Sequence, residues 1–361
     1  MPNRCVFCGS DAPLTREHVF GKWVAKIGLD LSPLEHHAGP LNALPRHLGI
    51  QPPYRQEVRD VCGACNNGWM SRLESAAQAV LTPLILGDPG TIDVGEQATI
   101  AMWAQKTALT AMLLSSKEQR DKGYGLAPSE YRALYDNRES MSPLPGSQFW
   151  AGRFEGDGAF AAVRVTPLTV RIPGLAEPHV PQAYAATIVL GALIVHGVRF
   201  PPPARSIDAV MTYGFPQLWP TSFQVDWPAG QVCTAETFVS LADAGMLRVG
   251  NGEIQLQPWR HAAHLPQSVI DNGMVKVRAL CHKHDVFYPP ALLQEALNGT
   301  FYAFIVACEC SAYIVHTDAD RVRFRAAGPP ESISQMYEDM PGDEYVFRDR
   351  NGEFICKQLP A

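Results

Sequence analysis

Four cysteines near the N-terminus have a spacing that suits a metal ion. They form two pairs, Cys5-x-x-Cys8 and Cys62-x-x-Cys65, separated by more than fifty residues. A C-x-x-C sequence places two sulfur atoms on one tight turn, and two such turns supply the four corners of a zinc tetrahedron. The alternative, four buried or redox-active cysteines, would make the paired spacing a coincidence. The sequence therefore predicts a structural zinc ion bound by all four thiolates.

The residues around these pairs resemble the HNH endonuclease family, the zinc-supported ββα-metal nucleases. Glu17-His18-Val19 lies between the pairs, and Asn66-Asn67-Gly68-Trp69-Met70 directly follows the second pair. The resemblance covers about the first 75 residues and is strongest to the variant group with EHV in the first motif and CNNGWM in the last. It implies a treble-clef-like ββα-metal module that hydrolyses phosphodiester bonds, with DNA as the expected substrate.

The resemblance also implies a role for each motif residue. His18 would be the general base that deprotonates the attacking water, and Glu17 and Asn66 would bind one catalytic divalent ion. A neutral imidazole can accept a proton near neutral pH. Oxygen ligands suit Mg²⁺ or Mn²⁺, whereas the thiolates keep the zinc. The chain would then hold two metal ions with separate tasks.

Two features depart from the family pattern. Residues 56–61, just before the second cysteine pair, contain no asparagine, so Arg59 or Asp60 would have to brace the loop that carries His18. The last motif residue is Asn66 rather than histidine, which weakens the expected divalent site. A catalytically inactive, zinc-stabilised module that binds nucleic acid or protein therefore stays open as the alternative. A cysteine-based redox enzyme is less favoured, because the two pairs together suit one tetrahedron.

The charge distribution is compatible with a nucleic-acid partner in this part of the chain only. The whole chain carries a net charge of −6, whereas residues 1–72 carry +2 and the remainder −8. Four basic side chains are candidates for phosphate contacts, although solvated surface charge explains each of them equally well: Arg16, Lys22, Lys26 and Arg72.

Three other residues near the motifs have ordinary interpretations. His36 and His37 are adjacent and are expected in a loop. Trp69 is expected to pack against the zinc-binding turn rather than to stack on a nucleic-acid base.

A second set of possible zinc ligands lies near the C-terminus. A Cys-His-Lys-His sequence is followed by a Cys-Glu-Cys sequence, and three cysteines with one histidine make a reasonable zinc site: Cys281, His284, Cys308 and Cys310. A C-x-C spacing is less diagnostic than C-x-x-C, and the alternative is that two strands each bury a cysteine.

The length and composition predict a multi-domain α+β protein. A chain of 361 residues has room for two or three domains, and its 46% apolar content is typical of globular proteins. We expect a zinc and nuclease module over residues 1–75 and a helical, then β-rich domain of unassigned role over 76–250. Residues 251–361 would form a C-terminal α+β domain.

Local patterns predict the elements of the larger part. Asp93 and Glu96 match a capping box at the start of an amphipathic helix, and Pro128 begins a shorter helix. Residues 140–147 resemble a linker. The apolar run over 185–198 predicts a buried strand.

Further elements are predicted towards the C-terminus. A short helix is expected over 234–246, and another after Pro290. Asn351-Gly352 predicts the turn of a final hairpin.

No apolar run is long enough to cross a bilayer, and the first residues lack the apolar core of a secretory signal. Because paired thiols suit a reducing compartment, we expect a cytoplasmic protein without a membrane partner. The sequence gives no indication of the oligomeric state.

Overall fold

The structure is a computed structural model. It describes residues 4–259 apart from 39–45, 157–160, 176–179 and 203–206, together with strand segments beyond residue 259. Two compact units make up the chain: residues 1–40 with 45–259, and residues 41–44 with 260–361. Helices and strands are mixed, so the α+β class is confirmed. The expected boundary near residue 75 falls inside a helix.

The N-terminal part of the first unit contains a two-stranded antiparallel sheet. β1 (Leu14–His18) pairs with β4 (Glu57–Cys62), and the pairing has a bulge between Thr15 and Glu17. β4 runs directly into α1 (Gly63–Cys65), a π-helical turn and α2. The π-helical turn spans Asn66–Met70, and α2 spans Ser71–Leu86. The second cysteine pair therefore lies where the strand becomes a helix.

A hairpin separates β1 from β4 in the sequence. β2 (Leu34–Ala38) and β3 (Arg46–Gln51) pair antiparallel. His36 and His37, expected in a loop, lie on β2, because the pairing with β3 continues through both residues. His36 Nε2 also lies 3.0 Å from the Gln51 carbonyl oxygen, which ties its ring to the neighbouring strand.

α3 (Val94–Met112) is the central helix of the first unit. Its N-cap Asp93 and Glu96 form the predicted capping box, with each side chain accepting from the backbone N–H of the other residue. Every residue from Ile100 to Thr110 is buried. α2 packs against this part of the helix on one side, and the large sheet packs against it on another.

Shorter helices follow α3. α4 (Lys117–Gln119) leads into a π-helical turn (Arg120–Tyr124). α5 (Pro128–Asp136) begins at the proline, as the sequence predicts. Single 3-10 turns span Val24–Lys26, Arg138–Ser140 and Gly250–Gly252.

Seven strands form the large sheet. Six lie side by side and antiparallel in the order β11 (Gln217–Trp219), β6 (Ser147–Phe154), β9 (Leu193–Arg199), β8 (Ala183–Leu190), β7 (Ala161–Arg171) and β15 (Gln255–Pro258). β13 (Val232–Cys233) pairs with β6 in parallel. α3 covers one face of this sheet, and α6 (Ala235–Ala242) covers the other at the position of the predicted short helix.

The apolar run over 185–198, for which the sequence predicts a buried strand, forms two strands. β8 and β9 are joined by a tight turn at Gly191, whose φ is 52°. Because helices cover both faces of the sheet, both strands are buried along their whole length. Such strands lack the alternation of polar and apolar residues that would have separated them in the sequence.

Two small strand pairs complete the first unit. β5 (Gly90–Ile92) pairs with β12 (Val225–Trp227). β10 (Ala209–Met211) pairs with β14 (Leu247–Val249).

The described part of the second unit consists of strands. A three-stranded sheet contains β16 (Ile270–Asp271), β17 (Met274–Arg278) and β18 (Asp285–Tyr288). A five-stranded sheet contains β19 (Ala303–Ala307), β20 (Ala312–Asp318), β21 (Arg321–Ala327), β22 (Glu344–Arg348) and β23 (Phe354–Gln358). β22 and β23 pair on either side of the predicted final turn.

Three predictions in this unit fall outside the described residues. They are the turn at Asn351-Gly352, the helix after Pro290, and the second zinc site of Cys281, His284, Cys308 and Cys310. Among the helices that the structure describes, none is long and apolar enough to cross a membrane.

A single apolar core joins the N-terminal part to the large sheet. It includes Phe7 and Trp69 beside the cysteines, Trp103 of α3, and Phe149 and Ile188 of the sheet. The cysteine-rich segment is therefore packed as part of the first unit, with α3 between it and the sheet.

Candidate metal centre and active site

The four N-terminal cysteines converge on one point. Their Sγ atoms all lie within 4.8 Å of one another. Cys5 Sγ is 3.8 Å from Cys65 Sγ, and Cys8 Sγ is 3.6 Å from Cys62 Sγ. Thiolates at about 2.3 Å from a tetrahedral zinc ion lie roughly 3.8 Å apart. This donor set could therefore hold a metal such as zinc, as its spacing in the sequence predicts.

The turn that carries the first cysteine pair is fixed by its backbone. Gly9 adopts a left-handed conformation with φ 73° and donates its N–H to the Cys5 carbonyl oxygen. The Cys62 N–H lies 3.4 Å from Cys5 Sγ and donates to it. Phe7 packs edge-on against Trp69 at a centroid distance of 5.6 Å, which confirms the packing role predicted for the tryptophan.

The cysteine cluster has the electrostatics of a cation site. The hydrogen bond between the sulfur atoms of Cys5 and Cys65 lowers the pKa of Cys5 to about 4 and raises the pKa of Cys65. A lowered thiol pKa favours the thiolate, which is the form of cysteine that binds zinc.

His18 lies at the end of β1, directly across the strand pair from Glu57. Its Nε2 is 3.2 Å from Glu57 Oε1, and the side chain of His18 is 17% exposed. Burial lowers the pKa of His18 below its ordinary value, and the Glu57 carboxylate opposes this only in part. The imidazole is thus neutral at pH 7, in contact with a carboxylate and still reachable from solvent.

Glu57 was not among the residues that the sequence singled out beside His18. Arg59 and Asp60 were expected to brace this loop, but Asp60 lies 3.9 Å from Arg120 and Arg59 is exposed. The cross-strand register places Glu57 opposite His18. Glu57 can be identified as the partner of His18 only from the strand register, which residue types alone do not give.

Glu17 points into the protein interior. Its Oε1 lies 2.8 Å from Nζ of Lys106, whose side chain is fully buried in the middle of α3. Glu74 of α2 approaches the same ammonium at 2.9 Å. Burial alone would lower the pKa of Lys106, but the carboxylates of Glu74 and Glu17 outweigh it and raise that pKa. Lys106 is therefore a charged ammonium that contacts two acidic side chains inside the core.

Asn66 connects the helical segment to β1. Its Nδ2 donates to Thr15 Oγ1 at 3.0 Å and to the Arg16 carbonyl oxygen at 2.9 Å. The side-chain amide therefore holds the first helical turn against the strand that carries His18.

Glu17 and Asn66 do not fit the catalytic divalent site that the resemblance implies. The Glu17 carboxylate is occupied by an ammonium, and Asn66 directs its amide nitrogen at the β1 backbone. Within the described part of the chain, the four-cysteine cluster is the only group of three or more cysteine, histidine or acidic side chains arranged for a metal.

The basic side chains named from the sequence are distributed unevenly around His18. Arg16 is exposed and lies 3.6 Å from Glu57, and the charge of Lys22 acts on His18. Lys26 is exposed on a separate 3-10 turn. Arg72 lies 3.1 Å from Glu139. Only Arg16 and Lys22 thus belong to the immediate surroundings of His18.

The chain matches no family model, no curated protein and no solved structure. Its function must therefore be inferred from these side chains and their geometry.

Proposed function

We propose that the N-terminal part of the chain is an HNH-type, zinc-supported ββα module that hydrolyses phosphodiester bonds in nucleic acid, with DNA as the expected substrate. One observation carries the proposal. A neutral, partly exposed histidine, His18, is held against Glu57 at the end of a strand whose partner leads directly into the four-cysteine cluster. This is the arrangement that a general base for water activation needs.

The proposed proton transfer takes place at the imidazole of His18. Because Nε2 faces the Glu57 carboxylate, its proton stays on Nε2 and Nδ1 carries the lone pair. Nδ1 would accept a proton of the attacking water as the water oxygen bonds to phosphorus and the P–O bond to the leaving oxygen breaks. The leaving oxygen would take a proton from solvent, and Glu57 would stabilise the imidazolium that forms on His18. Arg16 and Lys22 would attract the phosphate group.

Zinc would have a structural task in this proposal. The four thiolates join the N-terminal turn to the start of the helix, and Asn66 ties that helix to β1. The cluster would thereby fix the strand that presents His18. Free thiols in this number suit a reducing compartment, so we place the protein in the cytoplasm.

Mg²⁺ or Mn²⁺ at Glu17 and Asn66 belongs to the same resemblance. In this geometry, however, Glu17 Oε1 contacts the Lys106 ammonium and the Asn66 amide nitrogen contacts the β1 backbone. The proposed chemistry therefore starts at His18 and passes through no divalent ion. A cleavage assay with and without added Mg²⁺ or Mn²⁺ would test whether the reaction depends on a divalent ion.

A specific observation favours a second candidate. The buried contact of Glu17 with Lys106 leaves the scaffold intact while it removes an expected metal ligand. A module that kept its zinc and lost catalysis would bind nucleic acid or protein without cleaving it.

A cleavage assay separates the two candidates. The zinc-loaded full chain is incubated with plasmid DNA, single-stranded DNA and RNA, each with Mg²⁺, with Mn²⁺ and without an added divalent ion. We expect cleavage by the wild type and a loss of at least about 100-fold in His18→Ala, the usual contribution of a general base. His37→Ala, a half-exposed histidine on β2, is the matched control and should cut normally.

Two results would contradict the nuclease proposal. One is equal cleavage by wild type and His18→Ala, and the other is no cleavage of any substrate under any metal condition. In the second case, fluorescence anisotropy with the same nucleic acids would show whether the module binds them without reaction.

A further inference from the structure

We propose that the Lys106 ammonium is a built-in substitute for a bound divalent ion. It joins Glu17 to Glu74, so the wild-type protein recruits no Mg²⁺ or Mn²⁺ at these acids, and removal of the ammonium would convert them into a divalent-cation site. This inference concerns ion binding and holds whether or not the module cleaves nucleic acid.

The contact geometry is that of a cation between two acidic ligands. Lys106 Nζ lies 2.8 Å from Glu17 Oε1 and 2.9 Å from Glu74 Oε1. The lysine side chain is 0% exposed, and those of the two glutamates are 8% and 14% exposed. The acids come from β1 and α2, so the lysine of α3 connects three elements at one buried point.

The second carboxylate oxygen of Glu74 is also hydrogen-bonded. Glu74 Oε2 accepts from the indole N–H of Trp23 at 2.8 Å and from that of Trp103 at 3.2 Å. A Cβ at Gly21 would lie 2.3 Å from the same oxygen, so only glycine leaves room for this arrangement. The carboxylate is therefore held in place independently of the lysine, and it would keep its orientation when the ammonium is removed.

Charge and distance both favour a divalent ion once the ammonium is gone. With Lys106, two carboxylates and one ammonium leave a net charge of −1, and without it two buried carboxylates face each other. Uncompensated charge in a protein interior is strongly unfavourable. Ca²⁺ takes oxygen ligands at about 2.3–2.6 Å, only a few tenths of an ångström shorter than the present contacts with Nζ.

The first test measures Mn²⁺ binding to the wild type. The zinc-loaded full chain is titrated with Mn²⁺, and free Mn²⁺ is followed by electron paramagnetic resonance. We expect the free signal to match the added Mn²⁺, with Glu17→Gln giving the same curve. One Mn²⁺ bound per wild-type chain and lost in Glu17→Gln would overturn the proposal.

The second test measures the gain of a site in Lys106→Ala. We expect its melting temperature to lie below that of the wild type in metal-free buffer and to rise by several degrees with Ca²⁺ or Mn²⁺. Lys106→Ala combined with Glu17→Gln should lose this response, and Lys22→Ala, an exposed lysine, should melt like the wild type. The proposal would be overturned if neither Ca²⁺ nor Mn²⁺ raised the melting temperature of a folded Lys106→Ala protein. It would also be overturned if Lys106→Ala were unfolded without metal and neither ion restored its fold.

Discussion

Glu17 and His18 are neighbours on β1, yet their side chains enter opposite surroundings. His18 faces Glu57 near the surface, whereas Glu17 enters the core and meets a buried lysine. Successive side chains of a strand point to opposite faces, which explains why Glu17 faces the core while the adjacent His18 lies near the surface. The proposed general base and the buried ionic contact are thus adjacent but separately held.

The contact with Glu57 makes a prediction about the pH dependence of the proposed reaction. Burial lowers the pKa of His18, and Glu57 raises it, so Glu57→Gln should lower it further. The acid limb of the kcat/KM profile, expected below pH 6.5 in the wild type, should then move to lower pH. The plateau should fall by about tenfold or more because the ring loses its orientation.

The matched control is Glu35→Gln, which removes an acid 3.4 Å from His37 on the neighbouring hairpin. That profile should match the wild type. An acid limb that moves to higher pH in Glu57→Gln would contradict the assignment.

His196 predicts a loss of stability in acid. Its side chain is fully buried on β9, and burial lowers its pKa to about 3. The ring is neutral in the folded protein but titrates near 6.5 when unfolded, so stability is complete above pH 6.5 and declines as the pH falls towards 3. Between pH 7.5 and 4.5 this residue alone should cost about 2–3 kcal/mol.

Chemical unfolding at several pH values checks this. His196→Gln should flatten the decline between pH 6.5 and 4.5. Trp150→Phe, which alters the ring stacked on His196 at 6.2 Å, should lower stability while keeping the decline. Equal declines in His196→Gln and the wild type would show that His196 is not responsible.

At the residue scale, the sequence predicted the cysteine cluster but not the partners of the motif residues. Paired cysteines are recognisable because their spacing within each turn determines the sulfur geometry. Glu57 and Lys106 are far in sequence from the residues they touch. One signal was available, because Lys106 is the only charged residue between Gln97 and Leu113.

At the scale of elements, α3 is the central helix of the first unit and contacts both α2 and the large sheet. Its start was predictable because a capping box is a local interaction of two residues three positions apart. The burial of every residue from Ile100 to Thr110 was not predictable, since it depends on the contacts with α2 and the sheet. The turn between β8 and β9 was not predictable either, because both strands are buried on both faces and their sequence shows no alternation of polar and apolar residues.

The capping box of α3 should contribute measurably to stability. Asp93 Oδ1 accepts from the Glu96 N–H at 2.8 Å. Asp93→Ala should lower the free energy of unfolding by about 1 kcal/mol, the usual cost of losing an N-cap. Urea unfolding measures this, with Asp88→Ala, an exposed residue just after α2, as the control. A change no larger than that of the control would show that the cap is dispensable.

The turn between β8 and β9 should require glycine for two reasons. Gly191 has a φ of 52°, and an added Cβ would lie 2.4 Å from the Ile85 carbonyl oxygen. Gly252 also has positive φ, but an added Cβ meets nothing within 4 Å. Gly191→Ala should therefore unfold at a lower urea concentration than Gly252→Ala, with an additional loss of about 1–3 kcal/mol. Equal midpoints would contradict this interpretation of the turn.

At the scale of the whole molecule, the continuous core predicts that zinc supports more than the N-terminal segment. Structural zinc contributes about 10–16 kcal/mol in small zinc-binding peptides, comparable to the whole stability of a domain. Cys62→Ser should therefore lose zinc and also lower the melting temperature of α3 and the sheet, which share the core. Metal analysis and near-ultraviolet circular dichroism of the buried tryptophans would measure both effects.

Cys233→Ser is the matched control, because Cys233 is buried on the other face of the sheet, away from the cluster. It should retain the zinc content of the wild type and the tryptophan signal. Loss of zinc in Cys62→Ser without any change in the tryptophan signal would mean that the N-terminal segment unfolds independently.

Zinc bound at the four cysteines would, through the shared core, link this protein to the supply of metal in a cell. Zinc withdrawn from the thiolates would weaken the packing around α3, and the opened chain would be exposed to proteases. The amount of the protein would then follow zinc availability, with scarcity shortening its lifetime before any change in its synthesis.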